Sequence, residues 1–283
     1  MITDRRYSIA DLEPYIDWLY FFHAWEMPRK GSDSDALKQE ALDLLHTMES
    51  EGDISVRARV GLFDANAEGD DIVLRSHHSD KRMGGAEEVR LPCLRQQHIA
   101  EQNSYNLCLA DFIKPADMNE PDLIGVFATT ADFAADGHST SDVYHKMLAQ
   151  TLCDRLAEAA ACRLHEEVRK VIWAYAPDEY LSPDELLREK NQGIRPAVGY
   201  PSLPDQSINF LVEELIDMSE IGISLTENGA MSPHASVSGL MLAHPKAQYF
   251  AVGKIDRRQL EDYAARRGLP IKRIEQFLAA SIV

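Results

Sequence analysis

The chain has 283 residues, of which 45% are hydrophobic, which is enough for one large domain or two small ones with a substantial core. Its 46 acidic and 29 basic residues give a formal net charge of -17, which repels phosphate backbones and anionic membrane surfaces, so we expect neither as a partner. No apolar signal run opens the sequence and no stretch approaches the roughly 20 apolar residues of a membrane span, so we expect a cytoplasmic protein. The four cysteines form no CxxC pair, and we expect neither a disulfide framework nor a zinc site.

Residues 8–25 are predicted to be helical and to contribute to the core. They begin at Ser8, whose hydroxyl suits an N-cap, and they carry a dense aromatic cluster of the kind found in protein interiors. Asp17 lies inside this cluster, where a carboxylate needs a partner or a wet edge. A simple cap or turn residue would fit the same pattern equally well.

Hydrophobic periodicity predicts helices and strands in mixed order along the rest of the chain. In chain order they are a helix at 35–50, hairpin strands at 56–63 and 72–74, strands at 107–113 and 123–130, helices at 144–173, 182–190 and 207–218, strands at 221–225, 237–242 and 249–255, and helices at 257–267 and 270–280. Because regular βαβ alternation is absent, the pattern favours an α+β fold with a largely antiparallel sheet. We expect one domain over residues 1–283, with a helical N-terminal segment, 1–50, packed on the main body.

The most distinctive segment, 188–204, places an Arg, a Gly and a Tyr among three prolines directly after a strongly helical stretch. Proline locks its own φ and restricts the residue before it, so Arg195, Gly199 and Tyr200 are predicted to lie on a stiff, extended path. Such a loop can present polar groups to a ligand. A rigid surface connection without a ligand would have the same composition.

The common motifs of catalysis and metal binding do not occur. His165 and Glu166 begin like the zinc-protease HExxH motif, but Arg169 stands where the second histidine would be. The pair His77-His78 lies in polar surroundings and is better explained as a surface pair than as a metal site. We find no nucleophile elbow, phosphate loop or dinucleotide fingerprint, and we expect no catalytic side chain and no metal.

What remains is a set of polar and aromatic residues that would suit an amino-acid nucleotide. Carboxylates can pair with an ammonium group or bind ribose hydroxyls, an Arg can clamp a carboxylate, and aromatic rings can stack on a base or a sulfonium. Periodicity alone does not select these residues, which are Asp17, Glu158, Glu189, Arg195, Tyr200, Tyr249 and Phe250.

Several unrelated motifs occur in order along nearly the whole chain: YIDWLYFF at 15–22, VGLFDAN at 60–66, LRQQ at 94–97, CLADF at 108–112, HEEVRKVIWAYAP at 165–177, QGIRPAVGYP at 192–201, LTENGAM at 225–231, ASVSG at 235–239 and HPKAQYFAV at 244–252. Together they resemble one known family, the C-terminal activation domain of cobalamin-dependent methionine synthase.

The resemblance implies the fold and the activity of that domain. The fold is a single C-shaped α+β unit with a bent, largely antiparallel sheet flanked by helices. The domain binds S-adenosylmethionine and presents its methyl group to cob(II)alamin, which is remethylated when an electron arrives, usually from a reduced flavodoxin. Carried over position by position, the implied ligand contacts are Asp17, Arg195, Ala197, Gly199, Tyr200, Tyr249 and Phe250, with Glu158 and Glu189 at positions that the family keeps acidic.

The implied roles agree with the chemistry of the side chains. Asp17 suits the α-ammonium group, Arg195 suits the carboxylate, and the backbone of the stiff loop suits the adenine and ribose. Because the sulfonium is already an activated methyl donor, no side chain needs to act as a general acid or base. The implied contribution to catalysis is positioning.

The chain departs from the family pattern after Pro201. The family usually has Ala-Cys-Pro followed by a His-Thr-Glu-Lys run, whereas this chain has Ser202-Leu203-Pro204 followed by DQSI at 205–208. Aromatic residues often found near Ser232 and Met241 are also replaced. We therefore expect residues up to Pro201 to serve the ligand and the altered segment after it to meet a partner.

The sequence contains no homocysteine, folate or cobalamin domain, so we expect a free-standing reactivation subunit that cannot make methionine alone. The expected partners are a cobalamin-binding methionine synthase chain and flavodoxin or another electron donor. Two alternatives remain, a docking module that has lost the ligand and a reactivation partner of another corrinoid methyltransferase. An acidic flavodoxin could dock on basic residues near the C-terminus, although a solvated helix face explains these equally well: Arg257, Arg258, Arg266, Arg267, Lys272 and Arg273.

Overall fold

The computed structural model describes residues 1–75, 88–98, 105–133 and 142–283, so the predicted surface pair His77-His78 lies outside the described residues. The strands are β1 (Ile2–Tyr7), β2 (Ile54–Glu68), β3 (Asp71–Arg75), β4 (Glu88–Pro92), β5 (Asp122–Phe133), β6 (Ser224–Leu225), β7 (Met231–Ser232) and β8 (Ser236–Met241). The α-helices are α1 (Ile9–Leu12), α2 (Trp18–Ala24), α3 (Ser32–Glu51), α4 (Val143–Glu167), α5 (Pro183–Leu187), α6 (Ile208–Ile216), α7 (Arg257–Arg267) and α8 (Ile271–Phe277).

Six strands of the described ranges form one antiparallel sheet in the order β4-β3-β2-β5-β8, with β1 paired to the first half of β2. The predicted hairpin is confirmed, although its turn is tighter than expected. Glu68 pairs with Asp71, which leaves a two-residue turn at 69–70. Strands β6 and β7 form a separate two-stranded sheet. The predicted α+β fold with an antiparallel sheet is confirmed.

A helical layer covers each face of the central sheet. Successive side chains of β2 point to opposite faces, so Val56, Ala58 and Val60 pack with α1 to α4, and Phe63 and Ala65 pack with α6 to α8. The helical N-terminal segment therefore packs on the sheet together with α4. This alternation is the sequence pattern that predicted a strand.

The long predicted helix forms, and its last turn has a different geometry. Asp142 caps α4 by accepting the Tyr144 N–H at 3.0 Å. The apolar stripe of α4 is buried against the sheet, and the helix continues as a π-helical turn, Val168–Ile172. Ala174 then takes a φ of 59°, which ends the helical path.

Two predicted strands are wrong. The segment 107–113 instead contains a 3₁₀ turn, Leu109–Phe112, because the Asp111 carboxylate accepts the Cys108 N–H at 2.9 Å and starts a turn. The segment 249–255 forms no strand and is held by separate hydrogen bonds. Apolar alternation is present in both segments, but neither segment lies beside a described strand with which its backbone could form a ladder of hydrogen bonds.

Other differences lie at element boundaries. The predicted helix at 8–25 is interrupted by a 3₁₀ turn, Glu13–Tyr15, that contains Pro14, and α2 begins after Asp17. Strands β1 and β4 escaped prediction because they are short and rich in charged residues. In the part of the chain that the structure describes, no helix is long and apolar enough to cross a membrane.

Candidate functional site

The segment 193–203 runs along the edge of β8 and is hydrogen-bonded to it. The backbones of Ile194 and Leu242 exchange two hydrogen bonds of 2.9 Å. Further along, the Val198 N–H donates to Ser238 O at 2.9 Å. The stiffness predicted from the prolines is therefore reinforced by the sheet.

Two glycines permit this close approach. Gly193 has a φ of 79°, and a Cβ on it would lie 2.4 Å from Leu242 O. A Cβ on Gly239 would lie 2.3 Å from Pro196 O and 2.8 Å from the Cα of Ala197. Any larger residue at Gly239 would push the segment away from β8.

A cavity of about 650 Å³ opens beside this segment, within the range of about 300–1,000 Å³ that is usual for small-molecule sites. Of the residues that the sequence predicted, those lining it are Asp17, Glu158, Glu189, Arg195, Ala197, Tyr200, Tyr249 and Phe250. Gly199 lies next to the lining, in a turn where its φ is 86° and its N–H donates to Leu203 O at 2.8 Å. The fold thus brings together side chains from distant parts of the chain.

Arg195 supplies a positive charge to the cavity. Its guanidinium makes no hydrogen bond or ion pair with any other described residue, while its backbone N–H donates to the Tyr249 hydroxyl at 2.9 Å. The negative charges of Glu158 and Glu189 act on it from within the same cavity. The guanidinium is therefore available to an anionic group of a ligand.

Tyr200 and Glu158 form a hydrogen-bonded pair in the cavity. The Tyr200 hydroxyl donates to Glu158 Oε1 at 2.6 Å. Partial burial, and then the Glu158 charge, raise the pKa of Tyr200, so the phenol stays protonated at neutral pH. The pair links the loop to α4.

The other two carboxylates have different local settings. Asp17 is the N-cap of α2, where its Oδ1 accepts the Leu19 N–H at 2.9 Å. The cap role is therefore confirmed, and a ligand contact by the same carboxylate remains a prediction. Glu189 follows α5 with a φ of 56°, and burial raises its pKa, with the Arg195 charge opposing the shift. A non-glycine residue is strained in this conformation.

The cavity also has lining residues that the sequence did not single out. Arg155 and Cys162 lie three residues before and four residues after Glu158 on α4, a spacing that places all three on one helix face. Helical periodicity around Glu158 would have found both. Three further lining residues were expected to have other roles. Tyr15 and Tyr20 belong to the aromatic cluster predicted as core, and Ser202 belongs to the altered segment after Pro201.

Most of the altered segment at 202–208 is buried, so of the expected partner surface only Gln206 is exposed. Ser202, Asp205 and Ser207 are buried, with exposures of 6%, 1% and 1%. Asp205 accepts the Tyr263 hydroxyl at 2.8 Å and the Ser207 N–H at 2.8 Å. These polar residues belong to the interior between the loop, α6 and α7, where they satisfy buried groups.

Three of the six basic residues near the C-terminus form ion pairs within the described part of the chain, and one of these pairs, Arg267 with Asp205, is buried rather than on a solvated helix face. The acidic neighbours of these three neutralise part of the charge that an acidic partner would need. The pairs are Arg257 with Glu261 and Glu275, Arg266 with Asp71 and Asp262, and Arg267 with Asp205.

The described residues include no cluster of three or more His, Cys, Asp or Glu side chains able to hold a metal ion. The described residues form an α+β fold with a polar and aromatic cavity, of a size suited to a small molecule, beside the edge of an antiparallel sheet.

Two comparisons identify the family. The model of the activation domain of vitamin B12 dependent methionine synthase matches residues 8–268. A crystal structure of the MetH reactivation domain bound to AdoHcy is similar at 38% sequence identity and a TM-score of 0.91, over 100% of this chain and 90% of that chain. The chain therefore belongs to the family of activation domains of vitamin B12 dependent methionine synthase, as the resemblance of its motifs indicated.

Proposed function

We propose that this chain binds S-adenosylmethionine in the 650 Å³ cavity and supports the reductive remethylation of cob(II)alamin carried by a cobalamin-binding methionine synthase chain. The observation that carries the proposal is the guanidinium of Arg195, which pairs with no other described residue, in a cavity that also holds three carboxylates and several aromatic rings. The family, and the relative with bound AdoHcy, support the same ligand class.

The amino-acid end of the ligand accounts for two of the charged residues. The planar guanidinium of Arg195 suits a carboxylate, with which it can form two parallel hydrogen bonds. Asp17 suits the α-ammonium group, because its cap bond with Leu19 uses only Oδ1 and leaves Oδ2 available.

The sulfonium and the nucleoside account for the rest of the lining. Glu158 and Glu189 add negative charge, which favours a cationic ligand over a neutral one of the same shape. Tyr200, Tyr249 and Phe250 offer ring faces and edges to a base or a sulfonium. The selectivity of the site thus comes from its charged groups and its aromatic surface together.

Positioning is the proposed role of this chain in the reaction. The cobalamin of the partner supplies the methyl acceptor once an electron donor, flavodoxin or another, has reduced it. The residues of the cavity hold the donor molecule and fix the direction of its methyl group. None of them needs to transfer a proton.

Isothermal titration calorimetry of the wild-type chain with S-adenosylmethionine tests the proposal. We expect binding in the micromolar range, with methionine or adenosine alone binding much more weakly because each satisfies only one end of the cavity. Absence of micromolar binding would refute the proposed function. It would favour a docking module that keeps the fold without the ligand.

A further inference from the structure

The segment 249–252 forms one wall of the cavity although it is neither helix nor strand. Tyr249, Phe250 and Ala251 line the cavity, and Val252 is buried behind them with 3% exposure. Since no regular element holds this wall, its position depends on individual hydrogen bonds from other parts of the chain.

Ser202 supplies two of these bonds. Its hydroxyl oxygen accepts the Phe250 N–H at 3.1 Å, and its hydroxyl proton is donated to Phe250 O. One buried side chain therefore satisfies both backbone groups of Phe250. Next to it, the Val252 N–H donates to Pro201 O at 2.9 Å, so the wall is tied to the loop that carries Arg195.

Gln96 supplies a further bond from a different region. Its Nε2 donates to Ala251 O at 2.8 Å, while its Oε1 accepts the Leu107 N–H at 3.0 Å. The side chain is 7% exposed, and it has no other role in the site as described so far. It belongs to the LRQQ motif at 94–97, and the two bonds account for a Gln at this position, because its amide offers a donor and an acceptor side by side at the end of a long side chain.

We infer that Ser202 and Gln96 are positioning residues that hold the 249–252 wall in its binding geometry before the ligand arrives. The inference rests on the proposed function, since the wall is expected to contact S-adenosylmethionine. Both residues act through the backbone of the wall. Its fixed position keeps the Tyr249 hydroxyl on the Arg195 N–H, so less order has to be gained on binding.

The first test compares Ser202→Ala with Ser34→Ala. Ser34 is also buried, at 1% exposure, and its hydroxyl likewise donates to a backbone carbonyl, Pro28 O, outside the cavity. We expect Ser202→Ala to weaken S-adenosylmethionine binding about three- to tenfold, the effect of roughly one lost hydrogen bond. We also expect the Phe250 amide of the free variant to exchange its hydrogen about tenfold faster. Ser34→Ala should change neither.

The second test compares Gln96→Met with Gln97→Met. Gln97 is the neighbouring residue, and its Oε1 accepts the Asp256 N–H at 2.6 Å, away from the wall. Gln96→Met keeps the length of the side chain and removes both bonds. We expect it to weaken binding about three- to tenfold and to speed exchange in 249–252, whereas Gln97→Met retains wild-type affinity.

The outcomes separate this inference from the proposed function. A wild-type chain that does not bind S-adenosylmethionine refutes both. The inference alone is overturned if the wild-type chain binds and neither variant changes affinity or hydrogen exchange in 249–252. In that case a lower melting temperature of Ser202→Ala or Gln96→Met would show only a structural role. Should one variant fail to fold, the other decides.

Discussion

Arg195 places a positive charge on the cavity wall without an acidic partner within hydrogen-bonding distance among the described residues. Arg195→Ala is expected to weaken S-adenosylmethionine binding by about 1.5–3 kcal/mol, the loss of a charge-assisted hydrogen bond. The affinity of Arg195→Lys should lie between those of the wild type and Arg195→Ala, because lysine keeps the positive charge but lacks the planar guanidinium that can donate two parallel hydrogen bonds. Titration calorimetry measures both.

A matched control for this prediction is Arg188→Ala. Arg188 lies seven positions earlier, is exposed, and pairs with Asp184 at 2.8 Å on the surface. Its removal should leave affinity unchanged. If Arg195→Ala bound as tightly as the wild type, the assignment of the ligand carboxylate to Arg195 would be wrong.

Glu189 combines a strained backbone with a position in the cavity. Its φ of 56° favours glycine, so Glu189→Gly is expected to raise the free energy of unfolding by up to about 1 kcal/mol. The same change removes a carboxylate from the cavity and should weaken binding of the sulfonium ligand. Thermal or chemical unfolding measures the gain in stability, and titration calorimetry measures the loss of affinity.

Glu26→Gly is the control, because Glu26 has the same residue type and a φ of 53° after α2 but lies outside the cavity lining. The Glu26→Gly variant should gain a similar free energy of unfolding and should bind S-adenosylmethionine as tightly as the wild type. Loss of affinity in both variants would show that the effect at Glu189 does not come from its carboxylate.

At the scale of elements, the contact between the loop and β8 depends on Gly239. Gly239→Ala would place a Cβ 2.3 Å from Pro196 O, and we expect it to cost about 1–3 kcal/mol of stability and to weaken binding by displacing Arg195. Gly268→Ala is the control. It is strained at a φ of 63° with open space around it, so it should lose stability and keep affinity.

The helix α4 contributes a pH dependence of stability through His165. Burial, with the charges of Arg169 and Arg195, holds the pKa of His165 well below its ordinary value. Below about pH 6.5 the unfolded chain binds a proton that the folded chain does not, so stability falls as pH falls, by at most about 1.4 kcal/mol per pH unit from this residue. His165→Gln should therefore show a weaker pH dependence than the wild type between about pH 6.5 and 5. Denaturant unfolding at several pH values measures the difference, and equal slopes would contradict the prediction.

The whole molecule is expected to act only together with a cobalamin-binding chain. Adding it with S-adenosylmethionine and a reductant to a methionine synthase chain held as cob(II)alamin should convert the visible spectrum to that of methylcobalamin. Arg195→Ala should convert cob(II)alamin more slowly in the same assay at ligand concentrations that just saturate the wild type, and higher concentrations should restore part of the rate. A wild-type chain that binds S-adenosylmethionine but leaves the spectrum unchanged would contradict this role and favour another corrinoid partner.

The charge of the whole molecule bears on its electron donor. The chain has a net charge of -17, and in helices α7 and α8 three basic residues are ion-paired whereas Arg258, Lys272 and Arg273 form no ion pair with another described residue. An acidic donor that docked there would meet these three cations and would have to break local pairs to reach the others.

The sequence was sufficient for those features that depend on local patterns. The apolar stripe predicted α4, the alternation predicted β2, and the ordered motifs indicated the family that the comparisons confirm. Asp17 was recognised as a possible cap because capping depends on residues next to it in the chain.

Only the tertiary structure decided the features that depend on contacts between distant residues. Charge and apolar alternation could not show that 249–255 lacks a strand or that Ser202, Asp205 and Ser207 are buried, because both depend on what packs beside them. The bonds of Ser202 to Phe250 span 48 positions and that of Gln96 to Ala251 spans 155. A local pattern carries no signal for such pairs, since the chain must fold before the partners meet.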